Sequence, residues 1–197
     1  MGQNIYILKR NEKLSEKIIL NLKKRYFDAY YAESKEDALR KAVELIPLSD
    51  TIAWGGSMSI VESGLIDYIL KNEYKVINRD TAQNPEEKME MLKKALFCDT
   101  YLMGTNAISE DGQLVNIDCI GNRTAALMFG PKSVIIIAGM NKITSTLDEA
   151  IKRARQTAAP INMQRVAGTG LRQTPCFATG QCHDCTSKEA ICSHIVI

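Results

Sequence analysis

Short apolar stretches of strand character, separated by stretches of helical spacing, set the strongest limit on the fold. The predicted strands are 27–32, 51–54, 75–78, 100–103 and 133–138. Apolar residues between them recur at helical spacing, which predicts helices at 13–26, 34–46, 85–97, 122–129 and 146–157, and a helix or two turns between the glycine turn and Leu70. Strands that alternate with helices of this length predict an α/β fold with a mostly parallel, Rossmann-like sheet and helices on both faces.

Three segments add detail to this pattern. Residues 108–118 predict an antiparallel hairpin within or beside the sheet, with Glu110-Asp111-Gly112 as its turn. The β-branched run 133–138 is typical of a strand buried on both faces. The helical pattern stops at Pro160, so we expect an α/β domain over residues 1–160 and a loop-rich, cysteine-rich tail over 161–197.

Bulk composition excludes several classes of function. With 45% hydrophobic and 24% charged residues, the chain can form a globular core. The longest apolar run, 134–140, is far shorter than the ~20 residues of a membrane span, and the N-terminus lacks signal-peptide features. The net charge is only +2, and no basic stripe with interleaved aromatic residues is present, so the sequence gives no support for nucleic-acid binding. We therefore expect a cytoplasmic protein. A homodimer is plausible, although no periodic pattern in the sequence defines an oligomeric interface.

A two-glycine turn follows the predicted strand 51–54, at the residues Gly55, Gly56, Ser57 and Ser59. Glycines let the backbone approach a ligand closely, and the start of the next helix offers N–H groups to a phosphate or carboxylate. The alternative is a plain turn with Ser57 or Ser59 as helix cap. The pattern matches neither a dinucleotide fingerprint nor a P-loop. Its place at the carboxyl end of a strand favours ligand contact.

Polar side chains suited to a ligand cluster around the predicted hairpin: Asn106, Asn116, Asp118, Asn122 and Arg123. Asn116 and Asp118 share one face of a strand, and Arg123 can pair with a carboxylate or phosphate. Asn and Asp also stabilise turns through bonds to the backbone, which is the competing interpretation.

No catalytic residue can be singled out from the sequence. Both histidines, His183 and His194, lie in the tail, so the α/β body cannot hold a Ser-His-Asp arrangement. Acid or base chemistry would fall to Asp118, Glu62 or Lys142, and their local sequences do not distinguish them.

Four of the six cysteines lie within seventeen residues of the tail, as Cys176, Cys182, Cys185 and Cys192. Cys98 and Cys119 stand in apolar runs and are predicted to be buried. Four thiolates can hold either tetrahedral zinc or a four-iron cluster. One close pair flanked by two single cysteines favours the 4Fe-4S cluster over zinc. Reduced thiols, disulfides and a site shared with another chain remain alternatives.

Four segments of the chain together resemble the LUD (lactate utilisation) family: WGGSMS (54–59), VINRD (76–80), GTNAISEDGQLVNIDCIGNR (104–123) and GPKSVIIIAGMNKI (130–143). The tail pattern TPC–TG–C–DC–C is similar to that of a bacterial subset of this family. The resemblance implies a fold like that of ribose-5-phosphate isomerase, CoA-transferase and 5-formyltetrahydrofolate cyclo-ligase. It also implies that Gly55, Gly56, Ser57 and Ser59 form a ligand-binding turn, with Asn106, Asn116, Asp118 and Asn122 on the opposite wall.

Three functions follow as hypotheses. The resemblance and the cysteines together imply an accessory subunit that acts with iron–sulfur partner proteins in the oxidation of lactate or a related hydroxy acid. The glycine turn and the polar hairpin fit a stand-alone isomerase, transferase or ligase acting on a small anionic metabolite. A ligand-sensing module with a structural zinc site is the third.

Overall fold

The computed structural model describes residues 4–167 and 173–197. Over these ranges the helices are α1 (Ile5–Lys24), α2 (Lys35–Glu44), α3 (Met58–Glu62), α4 (Leu65–Lys71), α5 (Pro85–Lys94), α6 (Asn122–Met128), α7 (Leu147–Arg153), α8 (Ala159–Ala167) and α9 (Pro175–Thr179). The strands are β1 (Thr51–Trp54), β2 (Lys75–Ile77), β3 (Thr100–Met103), β4 (Ala107–Ser109), β5 (Leu114–Asp118), β6 (Ser133–Ile136), β7 (Ile143–Thr144) and β8 (His194–Val196). No helix within the described ranges has the length and apolarity needed to cross a bilayer.

The first of two compact units contains a four-stranded parallel sheet. It comprises Met1–Glu16, Tyr30–Gly104 and Asn122–Gly139, and its strand order is β2-β1-β3-β6. Each of the three strand pairs is parallel. The predicted α/β class with a Rossmann-like parallel sheet is confirmed.

Both faces of this sheet are covered by helices because successive strand residues point to opposite sides. Ile52, Trp54 and Leu102 pack against residues of α2, α3 and α4. On the other face, Ala53 and Tyr101 join a core with residues of α6 and of the turn after α5. The expectation of helices on both faces is therefore confirmed.

Asp99 joins the starts of three strands in the first unit. Its carboxylate accepts a hydrogen bond from the Thr51 backbone N–H (2.9 Å) and another from the Lys132 ammonium (2.6 Å). The hydrogen bond from Lys132, followed by the backbone bond from Thr51, lowers the pKa of Asp99 below its ordinary 3.8. The contacts attach β1 and the segment before β6 to the residue that precedes β3.

A pH-dependent stability follows from the lowered pKa of Asp99. A depressed carboxyl pKa stabilises the fold above the unfolded value of 3.8, and this contribution is lost as the pH falls through the folded value. We expect Asp99→Asn to lower the unfolding temperature near neutral pH and to match wild type once the pH lies below both values. Thermal unfolding across the acid range measures this. A difference that persists unchanged at the lowest pH would contradict it.

The second unit holds a mixed sheet in the order β7-β4-β5-β8. This unit comprises Lys17–Ala29, Thr105–Gly121 and Met140–Ile197. Strands β4 and β5 form the predicted antiparallel hairpin, and β8 from the end of the chain adds to β5 in antiparallel register. Ala107, Val115 and Ile117 pack against three alanines of the α7–α8 segment. The hairpin is confirmed, and it belongs to this second sheet.

Three sequence predictions are wrong in their local detail. Residues 27–32 form no strand. Their aromatic residues favour a strand, but this preference depends on contacts with a neighbouring strand. The run from Ser133 forms an edge strand, which explains why β6 is half-exposed instead of buried on both faces. The helical pattern also continues past Pro160 to Ala167.

The continuation past Pro160 has a structural reason. A π-helical turn, Ala154–Ala158, separates α7 from α8. Pro160 follows this turn, as the second residue of α8. Beyond it, the described residues 173–197 contain only the short α9 and β8, which fits the predicted loop-rich character of the tail.

Candidate functional site

A topological switch point lies between β1 and β3 in the first unit. The chain passes from β1 to β2 on one side of β1 and then returns to form β3 on its other side. Crevices at the carboxyl ends of such strands are the usual ligand sites of open α/β sheets. The residues that leave these two strands are Gly55 and Gly104, and the Gly55 N–H donates to the Leu102 carbonyl (2.8 Å).

Arg123 lies across this switch point. A Cβ added at Gly55 would stand 3.0 Å from Cδ of Arg123, a tight contact that would require the arginine side chain to shift. The Arg123 guanidinium donates to the Gly104 carbonyl (2.7 Å). One partly buried cation therefore lies at the ends of both strands. Guanidinium groups bind carboxylates and phosphates through paired N–H donors.

Ser57 approaches the same point from the turn after β1. It occupies the N-cap position of α3, but its side chain makes no capping hydrogen bond. Its Oγ lies 2.3 Å from where a Cβ at Gly104 would stand. Ser57 therefore holds the predicted cap position without a side-chain capping bond, and its hydroxyl lies over Gly104. Since α3 has only five residues, we assign the positive charge here to Arg123 and not to a helix dipole.

The switch-point site is defined here as Gly55, Ser57, Gly104 and Arg123. Of the other predicted ligand residues in this unit, Gly56 is exposed, Ser59 is half-buried within α3, and Asn122 is the first residue of α6. Gly104 was missed as a site residue by sequence reasoning. It follows β3 as Gly55 follows β1, and this shared position after a parallel strand was the available signal.

The remaining predicted ligand residues lie in the second unit, where the side chains of Asn106 and Asp118 bond to the backbone. Asn106 Oδ1 accepts from the Ile117 N–H (3.0 Å), and Asp118 Oδ1 accepts from the Cys119 N–H (2.8 Å). Asn116 is fully buried in β5. Such bonds from Asn and Asp side chains to the backbone are what the competing interpretation, a structural role, predicted. That these side chains line a ligand together with the glycine turn stays a prediction.

The four tail cysteines all belong to the second unit. Cys176 lies in α9, Cys182 and Cys185 lie in the following loop, and Cys192 precedes β8. All four are half-buried and none forms a disulfide. Cys176 packs with Met163 and Ile191, whereas Cys192 packs against the alanine core of the α7–α8 segment.

The other three tail cysteines act electrostatically on Cys192. Burial raises the pKa of the Cys192 thiol, and the charges of Cys182 and Cys185 raise it further, with a smaller contribution from Cys176. Within the described ranges, no three His, Cys, Asp or Glu side chains are gathered closely enough to hold a metal ion as they stand. The chemistry of the donor set, four cysteine thiols in one segment, fits a thiolate-bound metal or cluster.

Arg155 is a residue of this region that sequence reasoning missed. Its guanidinium forms an ion pair with Asp184, which stands between Cys182 and Cys185 and has a positive φ of 50°. Its positive charge also acts on Cys192, lowering the pKa of that thiol against the effect of burial. Arg155 Nε is buried, and no described residue accepts a hydrogen bond from it. No local signal marks Arg155, because its partner lies 29 residues away.

The protein is of the α/β class. Its first unit has a parallel sheet with Arg123 at the switch point, and its second unit carries the four tail cysteines. The sequence model of the LUD domain matches residues 15–197. The chain therefore belongs to the LUD domain family, and the matched range includes the cysteine segment. No curated protein matches the chain.

Proposed function

We propose that this LUD-domain protein acts in lactate utilisation as an accessory subunit of an iron–sulfur electron-transfer system that oxidises lactate or a related hydroxy acid. Family membership supports the connection with lactate utilisation. The observation that carries the electron-transfer role is the set of four half-buried cysteines in one segment of the second unit, none of which forms a disulfide. Iron–sulfur partner proteins would exchange electrons with the subunit.

The residues that would hold the group are Cys176, Cys182, Cys185 and Cys192. When bound, a 4Fe-4S cluster supplies one-electron redox chemistry that no side chain of the chain provides. The protein contributes four thiolates, partial burial that limits access of water, and the charge of Arg155 close to Cys192. Zinc bound to the same four thiolates is the alternative. It would stabilise the fold of this segment but would supply no redox chemistry.

Metal analysis of the protein purified without oxygen tests this function. We expect a brown protein with about four irons and four sulfides per chain, the content of a four-cysteine cubane cluster. About one zinc per chain, with no colour, would overturn the electron-transfer role. That result would leave the ligand-sensing module with a structural zinc site as the function to pursue.

The second candidate function is a stand-alone isomerase, transferase or ligase acting on a small anionic metabolite. Its specific support is Arg123, which lies over Gly55 and bonds to Gly104 in the switch-point site. In both functions this site would bind the carboxylate or phosphate of a small ligand, with the Ser57 hydroxyl as a further hydrogen-bond partner. Binding experiments with anions therefore test the site independently of the cysteines.

We expect Arg123→Gln to weaken anion binding at least about tenfold, because one charge-assisted hydrogen bond contributes about 1.5–3 kcal/mol. Calorimetric titration of the intact protein with L-lactate and with inorganic phosphate would measure the effect. Arg40→Gln is the matched control, since it removes the same charge from an exposed arginine of α2 in the same unit. Equal affinity of Arg123→Gln, Arg40→Gln and wild type would refute the site.

A further inference from the structure

Arg155 has two features that the packing of a surface helix does not explain. Its guanidinium reaches the loop between Cys182 and Cys185, where it pairs with Asp184. Its Nε–H is buried, and it finds no acceptor in the ranges 4–167 and 173–197. Buried N–H donors in native proteins nearly always have a partner, so an orphaned one calls for an explanation.

We propose that Arg155 is a positioning residue of the cysteine site: it holds the Cys182–Cys185 loop through Asp184 and donates an Nε–H hydrogen bond to a sulfur of the bound cluster. This inference rests on the proposed function, because it needs the 4Fe-4S cluster as the acceptor. The chemical class of the acceptor is an anionic sulfur, either a bridging sulfide or a cysteine thiolate.

The position of Arg155 on the fold supports this role. It lies in the π-helical turn Ala154–Ala158, a type of turn that often occurs at functional sites. The neighbouring Ala154 and Ala159 are buried in the core against which Cys192 packs. The backbone of Arg155 is therefore anchored next to one cysteine, while its side chain is bound to the loop that carries two others.

The ion pair with Asp184 connects Arg155 to the loop that carries Cys182 and Cys185. Asp184 has a positive φ of 50°, a conformation that Asp adopts more readily than most residues. Cys182 and Cys185 flank Asp184 closely in sequence, so restraining Asp184 also restrains the two thiols that would ligate the same cluster.

A donor and a positive charge beside a cluster have a defined effect on its redox equilibrium. Reduction adds negative charge to the cluster, and hydrogen bonds to its sulfurs are one of the means by which proteins tune the potential. Arg155 would stabilise the reduced form more than the oxidised form. Its removal should therefore lower the reduction potential.

The experiment compares the cluster-loaded wild type with Arg155→Gln, Arg155→Lys and Lys152→Gln in redox titrations followed by visible and EPR spectra. We expect Arg155→Gln to shift the reduction equilibrium about tenfold toward the oxidised form, which is about 59 mV for one electron. Arg155→Lys keeps the charge but lacks Nε and should shift part of the way. Lys152→Gln removes the same charge from an exposed residue of α7 and should match wild type.

Iron content and thermal unfolding separate the outcomes. Potentials of both Arg155 variants equal to that of Lys152→Gln would overturn the inference and leave the proposed function intact. Wild type without iron would overturn the proposed function itself, and this inference with it. If Arg155→Gln folds but loses its iron, the loss supports the positioning role. The reduction potential of Arg155→Lys then tests the Nε–H hydrogen bond: a potential below that of wild type supports it, and a potential equal to that of wild type contradicts it.

Discussion

Replacing Cys182 with serine should reduce bound iron from about four atoms per chain to less than about one, because a four-cysteine cubane cluster needs all four thiolates. Cys182 and Cys185 form the close pair of the motif, and their charges act on Cys192. A serine hydroxyl is a poor substitute since it stays protonated at neutral pH. Iron and sulfide analysis of anaerobically purified protein, together with the visible spectrum, measures the loss.

Cys98→Ser is the matched control for this experiment. Cys98 is a buried cysteine of the first unit, and burial raises its pKa to about 11. Its Sγ donates to the Thr100 carbonyl (3.4 Å), a bond that serine can replace. We expect this variant to retain its full iron content. If Cys98→Ser and Cys182→Ser bound equal amounts of iron, the assignment of the cluster to the tail would be wrong.

Gly112→Ala is expected to destabilise the protein by about 3 kcal/mol, the second large effect. Gly112 closes the β4–β5 hairpin with a φ of +87°, which an alanine adopts only with strain. A Cβ there would also stand 2.8 Å from the Asn21 carbonyl carbon and 2.9 Å from the Leu22 nitrogen of α1. Backbone atoms cannot move aside as a flexible side chain can, so a steric cost adds to the conformational one.

Gly64→Ala separates the two contributions to this destabilisation. Gly64 has a similar φ of +78°, but the nearest atom to its added Cβ is Leu39 Cδ2 at 3.9 Å, an ordinary contact. This variant should therefore cost only about 1 kcal/mol, from strain alone. Denaturant unfolding followed by far-UV circular dichroism compares the two. Equal losses would show that the close approach to α1 has no energetic consequence.

Much of the secondary structure could be predicted because its signals are local. Ser34 and Asn84 accept hydrogen bonds from backbone N–H groups three residues later and so begin α2 and α5, where the sequence pattern placed helix starts. The strands 51–54 and 100–103 were predicted with the bounds that β1 and β3 have. Two of the wrong predictions concern strand partners: 27–32 forms no strand, and β6 has a neighbouring strand on a single side.

The presence or absence of local signals also explains which residues of the candidate sites could be predicted. The tail cysteines are recognisable by spacing, and Gly55 and Arg123 stand at positions where strand ends and helix starts suit an anion. Arg155 and Asp184 carry no comparable local signal, and the signal of Gly104, its position after a predicted strand, was missed. Each of them matters through an atom that is distant in the chain, such as Ser57 Oγ for Gly104.

The amino-acid sequence alone determined the α/β class, the hairpin at Gly112 and the cysteine motif, since periodicity, turn residues and ligand spacing act over a few neighbouring residues. Tertiary structure decided which strands pair, that the Ser57 side chain lies over Gly104 without bonding to the start of α3, and that Arg155 meets Asp184. These outcomes depend on packing between segments that are tens of residues apart. Side-chain packing and hydrogen bonds across such separations leave no periodic trace in the chain, because their geometry exists only after the chain has folded.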